Sequence, residues 1–410
     1  MKPYTAVKTI IVKINFGNGT NPVGRLALRD RRIYFSYELS FLEQGLDISP
    51  FSLPLQVGVK TFDHSLFEGL PGVFNDSLPD GWGRLLLDRF VRSQGILPSE
   101  LSPLDRLAMI GSQGLGALVY EPEYDVPFDG GPVDLNLVAS QAQEVLEGSS
   151  SEVVSRLLAL NGSSSGARPK ALIGVSENKE RILHGKESFT AGYEPWLVKF
   201  PNTQDGIDAG AIEYVYALMA KQSGILMPEV HLFSAHEGPG YFAAKRFDRN
   251  GAKRLHMHTV SGLLHADFRF PSLDYQDLLN LTSMLTSDIR EVEKMYRLAV
   301  FNVLAHNRDD HAKNFSFLMD AHGKWTLSPA YDLTFSSGPG GEQSTMVMGE
   351  GRSPDVEHLL RLGLNTKLSK QQISSIIDQT RSALSGWNTL ARQYGVSNEN
   401  ISLISQNICQ

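Results

Sequence analysis

The sequence has a single cysteine, Cys409, one residue from the end of the 410. With no intrachain partner for it, a disulfide framework and a cysteine-rich zinc site are both excluded, and a reducing compartment is expected. Long apolar runs are also missing, and no stretch reaches the roughly 18 residues that a membrane helix needs. The opening MKPYTAVKT has no apolar core behind its charge, so no secretory signal is expected. An excess of positive charge is lacking too. Lys plus Arg number 38 and Asp plus Glu 45, a formal balance of −7. That disfavours a protein that coats nucleic acid through bulk charge, while leaving room for a local basic patch. There is no repeat at a fixed period. The pattern Gly, four residues, Gly-Lys-Ser/Thr is absent, which excludes a P-loop NTPase. What is present, 41% hydrophobic and 20% charged residues, suits folded domains. At roughly 150 residues per domain the length suggests two or three. A cytoplasmic protein without membrane association is expected.

The organisation shifts along the chain. VKTIIVKINFGNGT alternates at close to period two and ends in a turn, and Arg31 to Tyr37 has similar strand character. PFSLPLQV is Pro-broken and extended. WGRLLLDRFVRSQG from Gly81 has helical spacing and a C-cap glycine, Gly95, and Pro103 to Ile110 suggests a second short helix. Prolines 122, 127 and 132 with FDGGPVD mark a boundary near residue 135. A helix is expected over about Ser140–Leu146, followed by the apolar helix VVSRLLAL. Strands are expected around Ile173, at Trp196–Phe200, Glu229–Phe233 and Tyr241–Phe247, with the helix AIEYVYALMAKQSG between. After about residue 270 the pattern is mostly helical, with Ser369 as an N-cap. Three units follow: 1–135, β-rich; 136–250, mixed α/β; and 251–410, helical.

The chemistry concentrates in AHNRDDHAKNFSF at 305–317. Asp309 stands five residues before Asn314, the spacing of the catalytic base and metal-ligating Asn in a protein-kinase catalytic loop; Asp310 does not have it. Phosphoryl transfer needs a carboxylate to accept the proton of the attacking hydroxyl and a hard oxygen ligand for Mg²⁺. Lys313 could neutralise charge on the transferred group. A second metal ligand should follow on a hairpin. LMDAHGKWTLSPAYDLTF supplies Asp332 in that place, with Tyr331 beside it. His311 is either a hydrogen-bonding group of the loop or a phosphate contact. A metal-dependent phosphohydrolase that recruits His306, His311 and the upstream His256, His258 and His265 is a competing reading.

NGSSSGARPK at 161–170 reads as a linker by composition, yet lies between a helix and a strand, where backbone N–H groups could cradle phosphates. In WLVKFP, Lys199 is the one charge of an apolar strand. It either snorkels at an edge or needs a partner, for which Glu213 on the next helix is the candidate. YFAAKRFDR connects the mixed and helical parts, where adenine could meet backbone. GSQGLG at 111–116 lacks the acidic partner of a dinucleotide site and is expected to be a structural turn.

In that order SSGARPKAL, WLVKFP, AAKRFDR, RDDHAKNFSF and SPAYDLTF resemble the kinase core of the HipA family of serine/threonine kinases, the toxin half of HipBA-type toxin–antitoxin pairs. PFSLPL, GVFNDSLPDGWGR and IGSQGLGAL resemble its N-terminal region. The resemblance implies a two-lobed, α+β, protein-kinase-like fold behind a β-rich N-terminal subdomain. It makes Asp309 the catalytic base and Asn314 and Asp332 the Mg²⁺ ligands. Ser165, Gly166, Ala167, Arg168 and Lys170 become the phosphate loop, and Lys199 an ATP-phosphate contact. Lys245, Arg246 and Phe247 become the adenine segment. Ser163, with Ser164 and Ser165 as alternatives, matches the autophosphorylated serine. Asp310 stands where the family often has Gly. Implied partners are a separate HipB-like helix-turn-helix antitoxin, operator DNA through that antitoxin only, and a protein substrate such as an aminoacyl-tRNA synthetase. A silent kinase-like scaffold that holds an antitoxin is the alternative.

Overall fold

The computed structural model describes residues 5–124, 130–148, 152–162, 166–185, 192–202 and 205–408. Two five-stranded sheets and a bundle of C-terminal helices make up most of it. The first sheet is antiparallel, in the order Val59–Thr61, Arg32–Tyr37, Thr20–Arg29, Thr9–Asn15, Leu118–Glu121. Thr9–Asn15 shows the alternation expected of it. Ile10, Val12 and Ile14 are fully buried while their neighbours face outward.

The second sheet runs Ile182–His184, Lys170–Ser176, Tyr193–Lys199, Tyr241–Lys245, Val230–Phe233, again antiparallel. All seven residues of Lys170–Ser176 are buried, so this strand is covered on both faces. On one face lie the helices Gly81–Ser93, Leu135–Glu147 and Glu152–Asn161, joined with the sheet in one apolar core. Trp82, Leu86 and Phe90, spaced i, i+4, i+8, form the buried stripe of Gly81–Ser93. A helix from the β-rich first part of the chain therefore packs on the second sheet. The helix Ala209–Gln222 packs against strands Val230–Phe233 and Tyr241–Lys245.

The C-terminal part centres on Ile289–Leu304, whose Met295, Tyr296, Ala299, Val300 and Phe301 are buried among the helices Tyr275–Thr286, Val356–Leu364 and Lys370–Leu384. Ser369 caps the last of these by accepting from Gln372 N. Two short helices, Trp387–Gln393 and Asn398–Ser405, follow. The expected hairpin around Ala321–Gly323 forms from Ser316–Met319 and Trp325–Leu327. A third strand that periodicity did not suggest, His256–Thr259, joins it. His256 and His258 point inward there. His256 Nε2 pairs with Ile48 O at 2.9 Å, and His258 bonds Asp76 at 2.6 Å and Ser49 at 2.9 Å. Burial pushes His256 down to about 3, so it stays neutral. His265 packs against Phe62 and Phe67. Among the described residues no group of three or more His, Cys, Asp or Glu side chains could hold a metal ion. The phosphohydrolase reading therefore lacks its ligands there.

The architecture is α+β and two-lobed, kinase-like behind a β-rich N-terminal sheet. Among the described residues no helix is long and apolar enough to cross a membrane.

Candidate active site

The helix Ile289–Leu304 ends beneath the 305–317 segment, and a chain of buried amides sets the turn. Asn307 donates to Asn302 at 2.9 Å, Asn302 donates to Tyr275 Oη at 2.9 Å, and that hydroxyl donates to Asp310 at 2.6 Å. Asp310 also accepts from Gln343 Nε2 and from the backbone N–H groups of Ser344 and Thr345, at 2.9–3.1 Å. Burial nevertheless pushes its carboxyl up to about 7. The two adjacent aspartates thus have opposite fates. Asp310 is buried as an anchor for residues 343–345, while the Asp309 side chain is 59% exposed to the cleft. Partial desolvation raises the Asp309 carboxyl from its ordinary value, and the negative charge of Asp332 adds to this. A carboxylate tuned upward is better matched to a hydroxyl proton near neutral pH. His311 Nε2 lies 4.0 Å from Asp309 Oδ1, and the imidazole packs against Phe268.

One 3₁₀ turn, Ala312–Asn314, returns Asn314 to the same place, its Nδ2 donating to Asp309 O at 2.7 Å. Tyr331 donates to Lys313 O at 2.7 Å and packs against Phe247. It thereby fastens the Asp332 segment to the turn. Asp332 itself is left-handed, with φ of 57°, a conformation aspartate tolerates better than most residues.

The second sheet supplies the cations. Its register places Lys170 directly opposite Lys199. Like charges across a strand pair repel, so this placement needs anions. Lys199 Nζ lies 2.5 Å from Glu213 Oε1 and 2.6 Å from Asp332 Oδ1. Burial would lower the Lys199 ammonium, but these two carboxylates carry it above the ordinary lysine value. The same cations hold Asp332 far below the usual carboxylate range against the opposing effect of burial, so it is ionised. Arg168 bridges Asp205 at 2.7 Å and Glu213 at 3.3 Å. Lys170 is pulled down to about 8 by burial and by Lys199. A Cβ at Gly166 would stand 2.5 Å from Lys170 Nζ, and its φ of 104° is one that favours glycine. Asn314 and Asp332 offer one amide and one carboxylate, hard oxygen donors of the kind Mg²⁺ prefers. Lys170 and Lys199 together form a cationic floor suited to phosphates, beside a Gly166 whose N–H is already taken by Asp80.

Not every candidate is in the cleft in the same way. Lys245 pairs with Glu194 at 2.5 Å and Arg246 with Asp248 at 2.8 Å. Their backbone N–H groups donate to Glu229 O and Pro195 O. Of the three, Phe247 is the one that packs on Tyr331. Ser163, Ser164 and Ser165 lie outside the described residues. GSQGLG is the structural turn expected: Gly116 N donates to Asp248, and Arg249 and Arg254 donate to the carbonyls of Gly114 and Gly116.

One residue was missed by sequence reasoning. Asp80 binds Lys313 Nζ at 2.5 Å and accepts the Gly166 N–H. No motif of kinase spacing contains it. The sequence offers only an aspartate before Gly-Trp in GVFNDSLPDGWGR.

Two family models match the chain: the HipA N-terminal domain over residues 17–121 and the HipA-like C-terminal domain over residues 162–387. The Sinorhizobium fredii protein named "Putative kinase Y4dM" is 26% identical over 323 residues, covering 75% of this chain and 70% of that protein. "Putative kinase Y4mE" from the same organism is 23% identical over 339 residues, covering 76% and 77%. Among solved structures, a chain of the Shewanella oneidensis HipA, HipB and operator DNA complex superposes with a TM-score of 0.68. The identity is 15%, and the match covers 97% of this chain and 94% of that one. The two share a fold.

Proposed function

Because the chain belongs to the HipA family, we propose that it is an ATP- and Mg²⁺-dependent serine/threonine protein kinase acting as the toxin of a toxin–antitoxin pair. The observation that carries this is the meeting, in one cleft, of Asp309 and Asn314 on a single turn with the Lys199–Glu213–Asp332 bridge. In this reading Lys170 and Lys199 hold the triphosphate beside the 165–168 loop, and Phe247 and Tyr331 flank the base beside Lys245 and Arg246. Asn314 and Asp332 would hold Mg²⁺, which neutralises phosphate charge when bound. Asp309 accepts the proton of a serine or threonine hydroxyl as its oxygen bonds to the γ-phosphorus and the bond to ADP breaks. Lys313 faces the transferred group. His311 steadies Asp309 or a phosphate.

The family and the kinase names of the relatives support the chemistry. The Shewanella complex supports a HipB-like antitoxin on a separate chain, with operator DNA reached through it. A translation component such as an aminoacyl-tRNA synthetase is the proposed substrate. The proposed compartment is the cytoplasm, and the proposed units are 1–135, 136–250 and 251–410. Autophosphorylation is proposed on Ser163, with Ser164 and Ser165 as alternatives.

Intact mass and peptide mapping, with and without Mg-ATP, test this. Wild type should gain about 80 Da per phosphoryl group in residues 163–165, and Asp309→Asn should gain nothing. No gain from dephosphorylated wild type, together with no rise in Tm on adding Mg-ATP, would leave a silent scaffold.

A further inference from the structure

Asp80 occupies the N-cap position of the helix Gly81–Ser93, where an aspartate ordinarily accepts a hydrogen bond from its own first turn. It makes no such bond. One carboxylate oxygen accepts the backbone N–H of Gly166, and the other lies 2.5 Å from Lys313 Nζ. One further hydrogen bond ties the same strip of chain to the same loop: Trp82 N donates to Gly166 O at 3.0 Å. The approach is close enough that a Cβ on Gly81 would stand 2.6 Å from that oxygen. Trp82, buried in the core of the second sheet, anchors the strip. Burial would raise the Asp80 carboxyl, but Lys313, the Gly166 N–H and Lys170 hold it below its ordinary value, so it is charged.

We infer that Asp80 is a positioning residue: its one carboxylate clasps the phosphate loop to the catalytic turn, and the site is complete only with the N-terminal part docked. The roles of the two loops rest on the kinase reading; the clasp itself does not. The physical need is plain. Gly166 has φ of 104° and no side chain, so its backbone has freedom to lose on binding phosphates. Lys313 sits on a flexible four-carbon stem. Asp80 on one side and the Phe268 ring, 4.5 Å away, on the other fix its ammonium. Both costs of ordering are met before a nucleotide arrives. The opposite sign is a distinct outcome, in which Asp80 withholds Lys313 from the phosphates.

The test uses the full chain with Asp80→Ala and Asp80→Asn. It reads amide hydrogen exchange in peptides covering 166–171 without nucleotide, the ATP dissociation constant, and Tm. Asp80→Ala should speed exchange in that segment about tenfold or more. It should also weaken ATP binding ten- to a hundredfold, as loss of a charge-assisted hydrogen bond implies, with Tm within a few degrees of wild type. Asp80→Asn keeps an oxygen for Gly166 but no charge for Lys313, and should fall between. Unchanged exchange and affinity would overturn the inference, and so would tighter ATP binding. If the alanine variant misfolds, the near-isosteric asparagine variant decides by the same criteria. If wild type binds no ATP the kinase reading fails, while the exchange rates still decide the clasp.

Discussion

Replacing Lys199 with methionine isolates the charge bridge at the centre of the site. The ammonium touches Glu213 at 2.5 Å and Asp332 at 2.6 Å, and the side chain is 11% exposed. Deleting one member of a buried ion pair costs about 3–5 kcal/mol when the remaining charge is left alone. Neither carboxylate is left quite alone here. Arg168 stays 3.3 Å from Glu213, and the Asp332 side chain is 36% exposed, so solvent takes up part of the loss. The net cost should be about 2 kcal/mol. At about 2 °C per kcal/mol for a chain of this size, Tm should fall by about 4 °C. The loss of phosphate stabilisation should be far larger, about 10²–10³ in the rate of phosphoryl transfer. Urea denaturation and initial rates read the two effects separately. Glu213→Gln completes a double-mutant cycle with a coupling energy of about 1–2 kcal/mol. Refutation would be a Lys199→Met protein as active as wild type, or a cycle additive within about 0.5 kcal/mol.

Lys170 brings a pH dependence. Its pKa falls from 10.5 to about 8 on folding, so between these values the unfolded chain binds more protons than the native one. Its contribution to stability therefore rises with pH across that window. Phosphate binding wants the charged form, so ATP affinity should fall as pH passes 8, and calorimetry on Lys170→Met should lose that step. Asp310→Ala should destabilise by about 3 kcal/mol in denaturant titrations, because it strands the buried N–H groups of Ser344 and Thr345. Asp310→Asn should be milder. Arg249→Ala should strip the Gly114 carbonyl of its arginine donor, while Gly116 O keeps Arg254, and cost about 2 kcal/mol, with ATP affinity unchanged within threefold.

How much of this was legible in the sequence depends on whether the signal was local. Strand Thr9–Asn15 follows from periodicity because it buries every second residue, and helix Ile289–Leu304 because Val292, Met295, Tyr296 and Ala299 are buried at helical spacing before its last turns are covered all round. The helix Leu135–Glu147 is longer at both ends than the expected Ser140–Leu146, because Asp134 caps it from its own side chain and Gly148 closes it. The spacing of Asp309 and Asn314 was readable because one turn holds both. The split between Asp309 and Asp310 was readable as spacing only; the donors that bury Asp310 come from 33 to 35 residues away. His256–Thr259 was opaque because its inward residues are histidines, whose burial depends on partners at Ile48, Ser49 and Asp76. Asp80 was opaque for the same reason: its partners lie 86 and 233 residues along the chain.

The central claim is transfer of the terminal phosphoryl group of ATP to a hydroxyl by this cleft. Incubation of the protein with Mg²⁺ and ATP labelled separately at the α- and γ-phosphates tests it most directly. The account predicts covalent label from the γ-position only, lost in Asp309→Asn. Label retained from the α-position, or γ-label released solely as free phosphate, would contradict it.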